Sequence, residues 1–259
     1  MDDLAALRLQ IEWGADEALE EAPVVRVLVA PPPPPPNPLP RGEAEQASGA
    51  ARTQTPSERA IQAAAAANTL DELRSAIAAF DGCTLRDTAS HLVFAQGHPD
   101  ANLLLIGDPP GPDEDRSGTP FAGTAGDYLD RMLASISLSR AQLLLTPLIP
   151  WRPPGDRPPN AAELTLCLPF LHRLIALAGP RRLLVMGPLA ARSLLPQTAS
   201  RRRQRGAWLD IAIPGLPRPV PALPTFSAAE LMRSPKDRRA AWADLRLLRR
   251  TLDADATSA

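Results

Sequence analysis

The sequence predicts an α/β fold, a three-layer α/β/α arrangement with a central four-stranded parallel sheet. Four short runs of nearly uninterrupted apolar residues alternate with longer segments whose apolar residues recur every three or four positions. The short runs are typical of strands buried on both faces, and the longer segments are typical of amphipathic helices. This alternation places helices on both faces of a parallel sheet. The predicted strands are residues 103–106, 143–145, 183–186 and 220–223.

Length, charge and terminal composition narrow the classes of function. The chain has 259 residues and 44% hydrophobic residues, enough to bury a sizeable core. Its net charge of -1 excludes a uniformly basic protein, so a nucleic-acid partner would need a local basic face. The first residues lack an export signal, and no run of roughly 18 apolar residues indicates a membrane span. We expect a cytoplasmic protein without membrane partners.

The folded domain is predicted at residues 57–253, with three segments outside it. Residues 1–22 are predicted to form an amphipathic helix, a candidate contact for a protein partner, because their apolar residues share one face. Residues 23–56 are a proline-rich linker, predicted to be disordered; a spacer is favoured over a ligand for an adaptor domain. Residues 254–259 are expected to be a flexible tail.

Capping residues and apolar periodicity predict the helices of this domain. One helix opens at Ser57, and Thr69 begins a second, with Glu72 at the third helical position as a capping box requires. Further helices are predicted at residues 125–136, 161–178, 189–195 and 235–252.

The loops after the predicted strands are the candidate ligand-binding segments, because ligands of such sheets bind beyond the carboxyl ends of the strands. The loop after Ile106 contains Gly107, Asp108 and Gly111, and it ends at Phe121 before a helix. Glycine permits close approach of the backbone to a ligand, and an aromatic ring at that position offers a flat wall.

Three blocks of this sequence resemble, in the correct order, the family 4 uracil-DNA glycosylases. Residues 107–126 read GDPPGPDEDRSGTPFAGTAG and are followed by LDRML at 129–133, which is similar to the first motif of the family. Residues 151–159 read WRPPGDRPP and precede CLPFL at 167–171, as in its second block. Residues 224–233, PTFSAAELMR, occupy the place of its last motif. The resemblance covers roughly residues 60–250 and implies the fold of that family.

The resemblance also implies a reaction and roles for individual residues. These enzymes hydrolyse the N-glycosidic bond of a uracil flipped out of DNA. Phe121 matches the phenylalanine that stacks on the base, and Asp108 takes the place of a glutamate that acts near the sugar. Gly107 and Gly111 are expected to bring the backbone close to the base. Two alternatives remain open, namely that Phe121 is an ordinary core aromatic and that Asp108 accepts hydrogen bonds from backbone amides.

Two departures from the family pattern predict reduced or altered activity. Pro147 stands where the second strand usually ends in an asparagine that pairs with the base, and losing such a group can remove much of ~10⁴-fold discrimination. Ser227 replaces the histidine of the last motif and cannot become cationic near neutral pH. The loss of one preorganised donor of this kind costs about 10²–10³ in rate.

A third departure concerns the 4Fe-4S cluster that members of the family commonly bind. The corresponding positions here read Phe80, Cys83, Trp151 and Cys167, so that two of the four cysteines are aromatic residues. A cluster generally requires four thiolates. We therefore expect no cofactor, with the two rings filling the vacated volume; an iron-sulfur protein with unusual ligands is the alternative.

Contacts to DNA are expected from arginines near the last two strands. Arg201, Arg202, Arg203 and Arg205 form a basic run, and Arg233 follows the last motif. The run could instead be an ordinary solvated surface.

The sequence thus predicts a uracil-DNA glycosylase-like repair protein whose partner is DNA containing uracil or another deaminated base. The alternative is a catalytically inactive relative that binds DNA or a protein partner.

Overall fold

The computed structural model describes residues 54–196 and 205–257. The predicted helix at 1–22, linker residues 23–53 and the arginines at 201–203 lie outside the described residues. The strands of the described part are β1 (Gln96–Gly97), β2 (Leu103–Gly107), β3 (Leu144–Pro147), β4 (Arg182–Met186), β5 (Leu209–Ile211) and β6 (Val220–Thr225). Its helices are α1 (Pro56–Ala66), α2 (Leu70–Ala79), α3 (Leu85–Thr88), α4 (Pro112–Ser117), α5 (Gly123–Ala134), α6 (Ala161–Ala178), α7 (Pro188–Leu194), α8 (Ala228–Arg233) and α9 (Arg238–Thr257).

The four predicted strands form the parallel centre of one sheet, which confirms the predicted fold class. The sheet order is β1-β3-β2-β4-β6-β5, and β3, β2, β4 and β6 pair in parallel. Leu105 of β2 lies opposite Leu145 of β3 and Leu184 of β4, and Leu184 in turn lies opposite Leu223 of β6. Strands β1 and β5 add antiparallel edges. The sequence did not reveal them, because two or three residues are too few to show a strand period.

Alternation along the strands divides the core into two clusters, one on each face of the sheet. Leu104 and Ile106 face the first cluster, which includes buried residues of α1, α2, α6 and α7. Leu103 and Leu105 face the second cluster, with residues of α5, α8 and α9. Successive side chains of a strand point to opposite faces, so strands with apolar residues at every position supply both clusters.

Polar caps set the start of several helices. The first helix begins at Pro56, because Thr55 rather than Ser57 accepts from the Glu58 amide (3.2 Å) in a capping box. Thr69 caps α2 as predicted and accepts from the Glu72 amide at 3.1 Å.

The last helix is longer than the sequence predicts. Helix α9 continues to Thr257, so the expected flexible tail is wrong for residues 254–257. Asp255 lies in its last turn and accepts from both Nε (2.5 Å) and Nη2 (2.7 Å) of Arg182 on β4. This bidentate pair holds the end of the helix against the sheet.

By length and hydropathy alone, helix α6 could cross a membrane. Its apolar character has an explanation within the fold, because Phe170, Leu174 and Ile175 contribute to the first core cluster. The helix also packs against α1 and α2.

Candidate active site

A cleft of about 610 Å³ lies at the carboxyl ends of the parallel strands, where the sequence places the ligand-binding loops. Segments that follow all four strands line it. The cleft is lined by Gly107 at the end of β2 and by Asp108, Gly111 and Phe121 after it, by Pro153 and Arg157 after β3, by Leu189 after β4, and by Ser227 and Arg233 after β6. The topology therefore brings most of the predicted site residues together.

Asp108 is held against the first turn of α7. Its Oδ1 accepts hydrogen bonds from the backbone amides of Leu189 and Ala190, each at 2.9 Å. Gly187 permits this approach, because a side chain at that position would collide with the Asp108 carboxylate. The alternative of an aspartate bonded to backbone amides is thus realised, and the same carboxylate also lines the cleft.

Phe121 has a left-handed backbone conformation that places its ring over the end of β2. Its φ is 54°, which is uncommon for a residue other than glycine. A Cβ atom added to Gly107 would lie 2.6 Å from Cζ of the Phe121 ring, so only glycine leaves room for the ring there. The half-buried ring faces the cleft as well as the core.

Two charged residues hold the Phe121 backbone. Glu114 belongs to the acidic run 113–115, which the family resemblance implies helps to order this loop, and Arg140 was not singled out by the sequence. Glu114 accepts from the amides of Gly111 (2.7 Å) and Phe121 (2.5 Å), one with each carboxylate oxygen. Burial raises the pKa of Glu114, although these two hydrogen bonds oppose the shift. From the other side, Arg140 donates from Nη2 to the Phe121 carbonyl at 2.8 Å and from Nη1 to the Pro120 carbonyl at 3.3 Å.

The sequence offered a signal for only one of these two supports. Glu114 is the third residue of α4 after Gly111, the position from which a glutamate reaches back to the start of a helix. Arg140 follows the end of α5, and its contact depends on tertiary structure alone.

Ser227 is the capping residue of α8. Its hydroxyl accepts from the Glu230 amide at 3.2 Å and donates to the Glu230 carboxylate at 3.3 Å. The same carboxylate accepts from the Ser227 amide at 3.0 Å, which completes a capping box. Ser227 therefore lies at the cleft with its hydroxyl engaged in starting a helix.

The structure does not bring Pro147 to the cleft. Pro147 is buried and pairs with Gly107 across the sheet. It lines a separate cavity of about 20 Å³, together with Cys167 and Phe170. Pro147 is not among the described residues that line the cleft.

Of the arginines predicted to contact DNA, Arg233 and Arg205 lie within the described residues, and their surroundings differ. Arg233 lines the cleft, whereas Nη2 of Arg205 donates to the buried Asp244 carboxylate (2.8 Å) and the Arg205 guanidinium lies 3.8 Å from the ring centroid of Phe226. In this structure the Arg205 guanidinium is paired with Asp244, since a buried carboxylate needs a cationic partner. The phosphate contact predicted for Arg205 stays a prediction.

Arg157 is a cleft cation that the sequence did not single out. Its guanidinium donates to both oxygens of Glu163, at 2.5 and 2.8 Å, and these hydrogen bonds lower the pKa of Glu163. Glu163 also belongs to the capping box of α6.

The positions that correspond to cluster ligands lie together in the first core cluster. Phe80, Cys83, Trp151 and Cys167 are all buried there, and the ring of Phe80 packs edge-on against Phe170 with centroids 5.3 Å apart. A hydrogen bond from the Cys167 thiol lowers the pKa of Cys83 to about 7, and the same interaction raises the pKa of Cys167.

These residues do not fit a 4Fe-4S cluster. Two thiols and two aromatic rings occupy the four positions, whereas a cluster generally needs four thiolates. Among residues 54–196 and 205–257, no group of three or more His, Cys, Asp or Glu side chains is placed to hold a metal ion.

Comparison with known proteins agrees with this architecture. The model of the uracil DNA glycosylase superfamily matches residues 94–246. A type-4 uracil-DNA glycosylase of Pyrobaculum aerophilum is 31% identical over 137 residues, which are 53% of this chain and 70% of the relative. The type-4 enzyme of Saccharolobus solfataricus is 28% identical over 188 residues, 71% of this chain and 86% of the relative. The one of Archaeoglobus fulgidus is 35% identical over 122 residues, 47% and 61% of the respective chains. The chain therefore belongs to the uracil DNA glycosylase superfamily, with type-4 enzymes among its relatives.

Proposed function

We propose that this protein is a DNA N-glycosylase of base-excision repair, which hydrolyses the N-glycosidic bond of a flipped-out uracil or a related deaminated base. The observation that carries the proposal is the meeting of Asp108 and Phe121 in one cleft at the ends of the parallel strands. The cleft of about 610 Å³ is large enough for a nucleotide turned out of a duplex. The type-4 relatives are named uracil-DNA glycosylases.

The proposed chemistry gives each of these two side chains a role. The extruded base stacks on the Phe121 ring, and the Asp108 carboxylate faces the sugar. As the C1′–N bond breaks, its electron pair leaves with the base, and Asp108 stabilises the positive charge on the sugar. Water adds to C1′ and its proton passes to the carboxylate or to the departing base. The products are an abasic site and a free base.

Two features support reduced or altered activity. Ser227 supplies at most one neutral donor to the departing base, and its hydroxyl now donates to Glu230. Pro147 lies outside the cleft, so recognition of the base edge depends on other groups, for which the backbone around Gly107 and Gly111 is the candidate. Both features motivate the second candidate function, a catalytically inactive relative that binds DNA.

A single-turnover assay on uracil-containing single- and double-stranded DNA separates these functions. We expect the wild type to release uracil, and Asp108→Ala and Phe121→Ala to slow release at least about tenfold. The matched control is Asp210→Ala, which removes an exposed carboxylate from β5. Release no faster than in an Asp108→Ala, Ser227→Ala double variant would exclude a uracil glycosylase. DNA affinity retained in that case, with a clear salt dependence, would favour the binding relative.

We also propose that the protein carries no iron-sulfur cluster. The support is the donor set, in which Phe80 and Trp151 replace two of four thiolates and pack in the core. Protein purified without oxygen should be colourless and contain far less than stoichiometric iron. A brown protein with iron in proportion to protein would contradict this proposal.

The remaining proposals rest on sequence. DNA phosphates are expected to contact Arg233 and the run at 201–203, the segment 1–22 is a candidate for binding a protein partner, and the protein is expected in the cytoplasm. Fractionation of cells that produce the full chain would test the last of these.

A further inference from the structure

A second groove, of about 500 Å³, lies between the end of α5 and the outer face of α9. It is lined by Ser135, Ser137, Trp242, Arg246, Arg249 and Arg250, none of which lines the cleft. We call it the arginine-tryptophan groove. Trp242 is 41% exposed, unusual for so large an apolar side chain.

One face of α9 packs in the core, and a neighbouring face of the same helix lines this groove. Ala241, Leu245 and Leu248 form the buried stripe that packs against the sheet. The tryptophan and the three arginines follow at positions 242, 246, 249 and 250, a spacing that puts them on one neighbouring face of the helix. The core is therefore complete without Trp242, and the indole remains open to a ligand.

The positive charge of the groove is only partly neutralised within the protein. Arg249 forms an ion pair with Asp253 on the same helix. Within the described residues, neither Arg246 nor Arg250 takes part in an ion pair with a carboxylate; Nε of Arg250 donates to the Arg246 carbonyl at 3.4 Å. The groove thus offers guanidinium groups beside an exposed aromatic ring.

We propose that the arginine-tryptophan groove binds single-stranded DNA, with a base stacked on Trp242 and phosphates held by Arg246 and Arg250. Guanidinium groups that follow the phosphates, together with an aromatic ring that stacks on a base, are the means by which proteins hold single strands without reading sequence. An acidic peptide would satisfy the charges but would leave the exposed indole without its stacking partner. This assignment rests on the proposed function, because it takes DNA to be the ligand of the protein.

Helix α5 connects the two binding regions. Its first turn lines the cleft, and residues 135–137 after its last turn line the groove. A helix of 12 residues spans roughly 18 Å. About five nucleotides cover this length at the rise of a duplex strand, and about three cover it in an extended single strand. A strand that enters the cleft can therefore reach the groove only when it extends several nucleotides beyond the target base.

The test measures binding of the full chain to a labelled 20-nucleotide single strand without uracil, over a series of salt concentrations. Trp242→Ala should weaken binding about tenfold, because stacking of one base on an aromatic ring contributes that much or more. Arg246→Ala with Arg250→Ala should reduce the slope of log affinity against log salt by about 1.4, since each lost phosphate contact removes about 0.7 for a single strand. The matched control is Arg74→Ala with Arg86→Ala, two exposed arginines of α2 and α3.

The outcomes distinguish this proposal from the proposed function. Unchanged affinity and salt slope in both groove variants would overturn the groove as a DNA site, whatever the excision assay shows. Weakened binding in the groove variants, without uracil release by the wild type, would support the groove and refute a uracil glycosylase. A poly-glutamate peptide that competes as well as the 20-nucleotide strand would also overturn the proposal, in favour of an acidic peptide partner. Excision from a three-nucleotide substrate with a central uracil, which is too short to reach the groove, should be the same in wild type and groove variants.

Discussion

The position of the Phe121 ring depends on a few contacts around one left-handed residue. Glu114 and Arg140 bind the amide and the carbonyl of Phe121 from opposite sides. Gly107 provides the space under the ring, and Gly126 lets the first turn of α5 pass close to the Phe121 carbonyl. A residue with positive φ persists only when its surroundings impose that conformation, and such positions cluster at functional sites.

The substitution Gly107→Ala should displace the ring without unfolding the protein. The added Cβ would lie 2.6 Å from Cζ of Phe121, closer than van der Waals contact allows. We expect uracil release to slow at least about fivefold, because stacking of a base contributes about 1–3 kcal/mol. Single-turnover rates measure the effect. Gly111→Ala is the comparison, since its Cβ would meet only Oε2 of Glu114 at 3.7 Å; an equal loss in both variants would count against the steric explanation.

The substitution Glu114→Gln tests the support beneath Phe121. Glutamine offers one acceptor oxygen where glutamate offers two, so that one of the Gly111 and Phe121 amides loses its partner. A buried amide without a partner costs about 1–3 kcal/mol. Urea unfolding at neutral pH should show a loss of stability in this range, together with slower uracil release.

The pH dependence of this loss has a definite sign. Burial raises the pKa of Glu114 above its usual 4.5, so the folded protein holds the proton more tightly than the unfolded chain does. The stability contributed by this proton is fully present below pH 4.5 and is lost as the pH rises through the folded pKa. Because the side chain introduced by Glu114→Gln does not titrate, the advantage of the wild type should shrink from pH 4.5 upward. An advantage that grows over this window would refute the assignment.

At the scale of elements, several residues around the cleft also belong to the first turn or the cap of a helix. The amides of the first turn of α7 bind Asp108, Glu163 in the first turn of α6 binds Arg157, and Ser227 starts α8. One side chain thus serves both the start of a helix and the site. At Ser227 the two roles conflict, because a hydroxyl that caps α8 stands where the family has a histidine.

The substitution Ser227→His separates capping from catalysis. Loss of the cap should destabilise the protein by about 1 kcal/mol, and Ser227→Ala should do the same. An imidazole near the departing base can donate a charged hydrogen bond below its usual pKa of about 6.5, so we expect Ser227→His to release uracil at least about tenfold faster than Ser227→Ala at about pH 6. Equal rates in the two variants would show that position 227 does not act on the leaving group.

At the scale of the whole molecule, the first core cluster joins helices on one face of the sheet through the positions that correspond to cluster ligands. Phe80 precedes Cys83 at the end of α2, Trp151 follows β3, and Cys167 lies in α6. A metal cluster links the segments that carry its ligands, even where these segments are far apart in the sequence. In this chain, two of these positions carry the buried aromatic side chains of Phe80 and Trp151.

The substitution Trp151→Ala should therefore destabilise the whole domain. Removal of a large buried aromatic side chain costs about 3–5 kcal/mol, whereas Trp242→Ala on the surface should change stability by no more than about 0.5 kcal/mol. Thermal unfolding of both variants and of the wild type would measure the difference. An iron chelator should leave the wild-type transition unchanged; a lower transition temperature on its addition would contradict packing without a metal.

Local patterns in the sequence determined much of this protein. Apolar runs without polar interruption identified the four parallel strands, because a strand buried on both faces tolerates apolar residues at every position. Glycine and proline between these runs marked the loops. Because parallel strands run in the same direction, the loops that follow them lie at the same edge of the sheet. On this basis Asp108 and Phe121 could be placed at the carboxyl edge of the sheet, whereas Ser227 and Arg233 were assigned through the resemblance to the last motif of the family.

Tertiary structure alone decided where the remaining residues act. Pro147 ends a strand whose following loop lines the cleft, yet it lies in the core, and Arg205 belongs to a basic run yet binds the buried Asp244. Arg140 supports Phe121 from 19 residues away. Periodicity in the sequence shows only which face of a single element is buried. These contacts depend instead on how separate elements pack together, because the partner of a buried charge can come from any part of the chain.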